Sequence, residues 1–458
     1  MLLYRNVSFQ NKTKDYNLIL ISIDTLRPDH MGIYGYEKNT TPYIDKWAKN
    51  AFVFTNVVTV VPQTYPSFAA LMTGLHPFES GIISSNFENT SLPLSSNVET
   101  IAKLLKKNNY QTGAFVSNVV ISPNISNLNM GFDSYQMIEY GSYKDKNFRS
   151  IVEQSGKWMN NAKTNKFFLW IHLMGPHYPY NPSLNNRCIF NKNFCSYISN
   201  KSDQDIENER IDKWGCQEKG ISLNRIDLMK TLYDGKIADT DDQVRGIMEN
   251  ISKFGLEKNS IVVIYGDHGE GFDHQYLFGH GFVLYDSEVK IPLIIKHPEL
   301  SLSPKKINRL IDNTDIFPTI LDLLSIPQNN LSLSGISFSD EFDTNNIFSL
   351  IFRKRRNASY LTNNYLSKFA IYDGKYKFML SGNDICLYKN QKEELYDVIN
   401  DKNELNNLTS GKKNIADKLR SQLLIKLAKY NLPNSKNIED VQQKELERIK
   451  DRIKSLGY

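Results

Sequence analysis

Short apolar runs alternate with amphipathic stretches along the first two thirds of the chain. Residues 17–23 (NLILISI) are continuously apolar and rich in β-branched side chains, the pattern of a strand buried on both faces in a parallel sheet. Residues 43–51 (YIDKWAKNA) read as a helix and 52–61 (FVFTNVVTVV) as a strand. Thr64 follows in a turn. Pro66 and Ser67 then open a helical stretch, with proline near the first helical position, where its missing N–H costs nothing. Helical periodicity returns at 98–110 and 147–161. Strand runs recur at 112–117 (TGAFVS), 167–173 (FFLWIHL), 261–266 (IVVIYG) and 292–297 (PLIIKH), and a long amphipathic helix spans 224–254. The alternation lasts to about residue 330. It predicts an α/β fold whose helices cover a mostly parallel central sheet.

Residues 181–223 break the rhythm with asparagines, cysteines, Trp214 and many charges, and read as an insertion near the mouth of a site. Residues 340–357 read as a linker. Residues 358–409 hold the short runs of a smaller antiparallel sheet, followed by a helix over 412–430. The last segment is charged, with Ile438, Val441, Leu446, Ile449 and Ile453 spaced as the docked stripe of a surface helix. The expected organisation is a catalytic domain over 1–340, a smaller C-terminal antiparallel-sheet subdomain over 341–435, and a terminal charged helix over 436–458.

Composition narrows the classes. With 40% hydrophobic and 12% aromatic residues the chain is globular. Its net charge of +5 is mild and spread out, which does not argue for a nucleic-acid partner, and none is expected. No apolar run reaches the length of a transmembrane segment, and the opening MLLYRNVSFQNKTKDYN lacks a secretory leader. As written, a soluble cytoplasmic protein is expected, with export through a missed upstream segment left open. Cys188, Cys195 and Cys216 fall in one polar stretch, and Cys386 stands alone. No CxxC spacing occurs, so a zinc ribbon is not expected. Reduced loop thiols are the expectation, and a local disulfide within 188–216 is the alternative for an exported chain.

The candidate chemistry sits at strand ends. Asp24 closes the first apolar run, and Asp267 and His268 close a late one. In open parallel sheets the crevice lies beyond the carboxyl ends of the strands, where residues distant in sequence meet. Asp24, Thr64, Asp267 and His268 would together hold a divalent cation, with zinc or manganese the better match to carboxylate and imidazole. A cation on the Thr64 oxygen would favour the alkoxide, and the helix start beyond it would attract a tetrahedral anion. His280 and His177 are candidates to stabilise the substrate's oxyanion or protonate a leaving group. His172 and Arg27 are candidate substrate contacts; Arg27 has the alternative of holding Asp24 or the C-terminal part of the chain. One metal fits these ligands. A second would draw on His172, His177, His280 or Asp241. Each residue alone has a plainer use, as a helix cap, a turn or a hydrogen-bonded structural histidine. Their joint arrangement carries the reading.

These segments resemble the sulfatase family of the alkaline phosphatase superfamily over nearly the whole chain. NLILISIDTLRPDHMGIYGYEKNTTPYID is similar to that family's first strand and metal loop, QTYPSFAALMTGLHP to its nucleophile motif, and FFLWIHLMGPHYPY to its central histidine segment. VVIYGDHGEGF and GHGFVLYDSEVKIPLII resemble its late metal and oxyanion segments; DIFPTILDLLSI, EELYDVINDKNELNNL and IKSLGY also have counterparts. The resemblance implies that Asp24, Asp267 and His268 are metal ligands, Thr64 the nucleophile and His177 the central histidine. His280 falls where many members have a lysine that contacts the ester.

The departures bear on mechanism. The family's nucleophile is a cysteine or serine converted to formylglycine, followed four positions on by arginine. Here those positions hold Thr64 and Phe68. Threonine cannot form that aldehyde, because its β-carbon carries a methyl group. Thr25 replaces the second early aspartate, which weakens a calcium-type, all-carboxylate site. Threonine here resembles the superfamily's phosphodiesterases and phosphotransferases. The leading expectation is a metal-dependent hydrolase or transferase acting on phosphate esters, on a glycan or lipid, through a phospho-threonine. The alternatives are a sulfuric ester hydrolase without formylglycine and a non-catalytic protein that binds an anion or glycan.

Overall fold

The computed structural model describes residues 15–85, 92–139, 149–199, 201–202, 215–216, 222–272, 277–299, 305–338, 347–354, 365–381 and 393–429. The opening segment, Trp214, Cys386, the runs at 358–363 and 385–390, and the terminal helix expected over 436–458 lie outside them.

The central sheet has eight strands. In chain order they are β1 (Asn17–Ile23), β2 (Phe52–Phe54), β3 (Gln111–Val116), β4 (Ser134–Met137), β5 (Phe167–Leu173), β6 (Ser260–Gly266), β7 (Leu293–Lys296) and β8 (Lys305–Ile307). Their spatial order is β8-β2-β7-β6-β1-β5-β3-β4. All adjacent pairs are parallel except those of β7, which runs against both β6 and β2. The apolar run of β7 is visible in the sequence, but its direction is not.

Strand β1 is buried along its whole length because both faces are covered. Leu18 and Leu20 enter one core and Ile19 and Ile21 the other, as period-two alternation requires. The first core receives α2 (Thr64–Thr73), α3 (Ile101–Lys107) and α6 (Ile316–Leu323). The second receives α1 (Pro42–Ala48), α4 (Ser150–Ala162) and α5 (Leu223–Lys253). The strand expected over 52–61 is interrupted. It pairs at β2, breaks at Thr55 and Asn56, and resumes as Val57–Val58 against Ile311–Asp312.

A second sheet of four antiparallel strands follows in sequential order: β9 (Ile347–Lys354), β10 (Tyr365–Tyr372), β11 (Tyr376–Ser381) and β12 (Glu393–Asp397). Helix α7 (Lys413–Lys429) covers it through Leu419, Leu423 and Leu427. Strand β9 corrects the linker expected over 340–357. Its Leu350 N–H donates to the Val60 carbonyl at 2.8 Å, and the Ser349 hydroxyl to the Thr59 carbonyl at 2.8 Å. The smaller sheet is thus fastened to the segment that leads into Thr64.

Candidate active site

Strand register assembles the site. Ile23 at the end of β1 lies opposite Gly266 at the end of β6, so the next residues, Asp24 and Asp267, emerge side by side. Ser22 lies opposite His172 on β5, which brings that histidine behind Asp24. Asp24, Asp267 and His268 have no solvent exposure. One ligand atom from each lies within 4.8 Å of the others.

Asp24 Oδ2 accepts a hydrogen bond from Asn118 Nδ2 at 2.6 Å and lies 3.4 Å from His172 Nε2. Asp267 Oδ1 accepts the N–H groups of Thr25 at 3.0 Å and His268 at 2.9 Å. The other oxygens, Asp24 Oδ1 and Asp267 Oδ2, are buried without a hydrogen-bond partner. His268 Nδ1 lies 2.9 Å from the Gly269 carbonyl, which can only accept. Nδ1 therefore carries the proton and Nε2 the lone pair. That lone pair sits 3.2 Å from Thr64 Oγ1, 3.6 Å from Asp267 Oδ2 and 3.9 Å from Asp24 Oδ1. Orphaned carboxylate oxygens and an unprotonated imidazole nitrogen facing one point fit a divalent cation.

The electrostatics agree. Burial, reinforced by the Asp24 charge, pushes Asp267 well above the usual carboxylate range. Burial also opposes ionisation of Asp24, but His177, His172 and His268 hold it below that range. Burial lowers His268 and favours its neutral form. Thr25 joins the two strand ends in a left-handed conformation, φ 53°, which is rare for a β-branched residue.

Thr64 is the first residue of α2, with Gln63 as its N-cap. The helix thus starts two residues before the expected Pro66, which still falls among the first four positions that need no N–H partner. Ser67 anchors this helix to the end of β6 and to Asp267 just beyond it. Its hydroxyl donates to the Asp267 carbonyl at 2.7 Å and lies 2.7 Å from the Tyr265 hydroxyl, while Asn313 Nδ2 donates to the Ser67 carbonyl at 3.0 Å. One turn on, Phe68 packs its ring 4.9 Å from His172 and 5.0 Å from Trp170. An aromatic core residue thus fills the place of the family's arginine.

Among the other predicted residues, His280 and His177 join the site. The His280 ring centroid lies 4.3 Å from that of His268 and 5.2 Å from that of His177. His280 Nδ1 is 3.0 Å from Glu270 Oε1, and burial pushes Glu270 up to about 7. His172 sits beneath the site, with Nδ1 3.0 Å from the Ser22 hydroxyl. Arg27 donates to both Asp29 oxygens, at 2.9 and 2.6 Å, and to the Glu270 carbonyl at 2.9 Å. It thereby braces the loop after His268. Asp241 caps α1 instead, accepting the N–H groups of Tyr43 at 2.8 Å and Ile44 at 2.9 Å.

The insertion begins against α5, where Asp239 accepts from Ser183 N, Ser183 Oγ and Asn186 Nδ2. It returns to the site as Gly215–Cys216, paired with Leu277–Phe278 just before His280. Cys188 and Cys195 form a disulfide, which corrects the expectation of reduced thiols. A turn capped by Asn191 brings their Cα atoms to 5.2 Å.

Sequence reading missed Asn118, Ser67, Asn313 and Glu270. Only Glu270 had a local signal, two residues beyond His268 in GDHGE.

A parallel sheet that gathers carboxylates, imidazoles and a helix-start hydroxyl at its strand ends suits metal-assisted ester chemistry. The sulfatase family profile matches residues 16–326, and the profile for the C-terminal region of N-sulphoglucosamine sulphohydrolase matches residues 272–431. The chain belongs to the sulfatase family of ester hydrolases. An arylsulfatase of Clostridium perfringens is 23% identical over 491 residues, covering 90% of this chain and 94% of that protein. A solved 2-O GAG sulfatase superposes with a TM-score of 0.72 at 20% identity, covering 91% of this chain and 93% of the other. The phosphonate monoester hydrolase of Agrobacterium radiobacter superposes with a TM-score of 0.69 at 17% identity, covering 91% and 96%.

Proposed function

We propose that the chain hydrolyses or transfers phosphate esters, with Thr64 as nucleophile and one zinc or manganese ion held by Asp24, Asp267, His268 and Thr64. The observation that carries this reading is the Thr64 hydroxyl, 3.2 Å from the lone-pair nitrogen of His268 and beside two orphaned carboxylates. When bound, the cation supplies Lewis acidity that favours the ionised hydroxyl. Thr64 Oγ1 then forms a bond to phosphorus as the bond to the departing alkoxide breaks, and His280 or His177 delivers the proton that neutralises the leaving oxygen. Water or an alcohol displaces the phosphoryl group from Thr64 in the second step. The first acceptor gives a hydrolase and the second a transferase.

Phe68 and Thr64 together argue against the formylglycine route. Threonine has no path to the aldehyde, and Phe68 puts an aromatic ring where an arginine would hold the aldehyde hydrate. A sulfo-threonine would also lack the second hydroxyl that expels sulfate. The competing reading is sulfate-ester hydrolysis by threonine itself. It draws support from relatives described as sulfatases, including one solved with D-glucosamine-2-N,6-O-disulfate. Metal-stripped protein re-supplied with zinc, manganese or calcium decides between them, assayed on bis-(4-nitrophenyl) phosphate and 4-nitrophenyl sulfate. Diester turnover with zinc or manganese that disappears in Thr64→Ala is expected. Full turnover in Thr64→Ala, or a preference for the sulfate, would overturn the proposal.

A further inference from the structure

We propose that Glu288 is the positioning residue of His280: its buried carboxylate fixes the turn that presents the imidazole beside His268 and Thr64. This rests on the reading above only in taking His280 as an active group of the site.

Glu288 has no solvent exposure. Its Oε2 accepts the N–H of Gly281 at 2.7 Å and that of Phe282 at 3.3 Å, the two residues after His280. Its main-chain carbonyl accepts the Gly269 N–H at 2.8 Å, next to His268. One residue therefore sets both turns, with its side chain on the His280 turn and its backbone on the His268 turn. Their imidazole rings end 4.3 Å apart.

The opposite side of the turn is closed by the helix that carries Thr64. Gly281 has φ +79°, and a Cβ there would stand 3.0 Å from Gln63 Cγ. Gln63 is held in turn by the Ser85 N–H, 2.6 Å from its Oε1, and it immediately precedes Thr64. The His280 turn is thus wedged between Glu288 and the N-cap of α2. Glu288 itself lies on the short helix Asp286–Val289, which the buried Lys377 of β11 fastens through Asp286 at 2.9 Å. Lysine at the His280 position would reach a substrate oxygen by its own length. An imidazole is shorter and flat, so its ring must be brought there by the backbone.

The test is a double-mutant cycle in the metal-loaded full chain. kcat and KM are measured on whichever aryl ester the wild type turns over, phosphate diester or sulfate. Glu288→Ala should lower kcat by about 10- to 100-fold, the cost typical of losing a group that orients a site residue, with bound metal unchanged. Glu288→Gln keeps an acceptor oxygen for both N–H groups and should recover most of that loss. In a His280→Ala background, Glu288→Ala should cost less than about 2-fold more, because the group it positions is gone. A role in folding alone would leave the full cost in that background, and that result, or a Glu288→Ala enzyme as fast as wild type, overturns the proposal. If Glu288→Ala does not fold, Gly281→Ala displaces the same turn from the Gln63 side and should show the same non-additivity with His280→Ala. The outcome is independent of Thr64: persistence of turnover in Thr64→Ala would defeat the nucleophile reading and leave the Glu288–His280 coupling to be read as before.

Discussion

The candidate active site and the seam between the two sheets each hold a pair of carboxylates out of bulk water: the buried Asp24 and Asp267 in the first, and the partly buried Asp286 with the buried Glu404 in the second. At the seam the chain supplies the counter-charge. Lys377, fully buried, lies 2.9 Å from Asp286 and 2.7 Å from Glu404, and Lys290 lies 3.3 Å from Asp286. Burial works against both carboxylates: Lys290 and Lys377 hold Asp286 down at about 2, while burial pushes its neighbour Glu404 up to about 8. At the site the same split occurs, with Asp24 held down and Asp267 pushed up, but no lysine or arginine among the described residues pairs with either, and one oxygen of each is orphaned. Burying a carboxylate costs several kcal/mol unless a partner offsets it. The seam meets that cost with a lysine and is structural. The site leaves it unmet, which is the place the proposed cation would fill.

The comparison breaks most visibly if metal removal changes nothing. Chelation should lower turnover by at least about 1,000-fold, with recovery on adding zinc or manganese. Asp267→Asn should abolish metal rescue and yet stabilise the metal-free protein. The sign follows from its raised pKa. Folded Asp267 holds its proton more tightly than the unfolded chain, so its stabilising contribution is full below 3.8 and is lost as pH rises above that value. At pH 7 the metal-free Asp267→Asn protein should therefore exceed metal-free wild type by at least about 1 kcal/mol in urea denaturation. With metal at 100 times its Kd, wild type should gain about 2.7 kcal/mol and the order should reverse. A metal-free variant no more stable than wild type would show that the carboxylate pair is not strained.

Lys377→Met sharpens the other half. It leaves Asp286 with Lys290 and takes away the lysine that meets Glu404, and should cost about 3 kcal/mol, with no rescue by divalent metal. The stabilisation of Asp286 is present above 3.8 and lost as pH falls toward 2. The gap between Lys377→Met and wild type should therefore narrow over that window. A gap that stays constant from pH 7 to pH 2 would mean that the lysine acts through packing and not charge.

The two regions differ equally in how far the sequence disclosed them. Asp24, Asp267 and His268 stand at the ends of continuous apolar runs, so strand burial and the parallel-sheet crevice mark them as neighbours from the sequence alone. Thr64 was legible for the same reason, at the head of a helix start. The partners that hold these groups were not. Asn118 reaches Asp24 across 94 residues of sequence, and Asn313 reaches Ser67 across 246. Such contacts arise from tertiary packing and leave no local spacing to read. The direction of β7 was hidden because an apolar run looks the same either way round. Strand β9 was hidden because its run IFSLIF follows a polar stretch and passes for a linker. The brace that Arg27 forms with Asp29 and the Glu270 carbonyl likewise left no local spacing to read.

The smallest expected effect concerns the insertion, whose described part is closed by a covalent bond. Cys188 and Cys195 lie seven residues apart, and so short a loop limits the entropy that the bond removes from the unfolded chain to about 2.5 kcal/mol. Arg187, next to the bond, already donates to the Pro182 carbonyl and to Asn181 Oδ1, and Asp239 holds Ser183 and Asn186. The base of the insertion is therefore fixed without the disulfide. Cys188→Ser should cost at most about 2.5 kcal/mol and leave kcat within about 2-fold, because the His177 and His280 segments have their own anchors. Iodoacetamide labelling of denatured protein, read by peptide mass, should leave Cys188 and Cys195 unmodified until a reductant is added. Labelling of both in protein taken directly from its native compartment would restore the expectation of a reducing, cytoplasmic setting. Protection of both would place folding in an oxidising one.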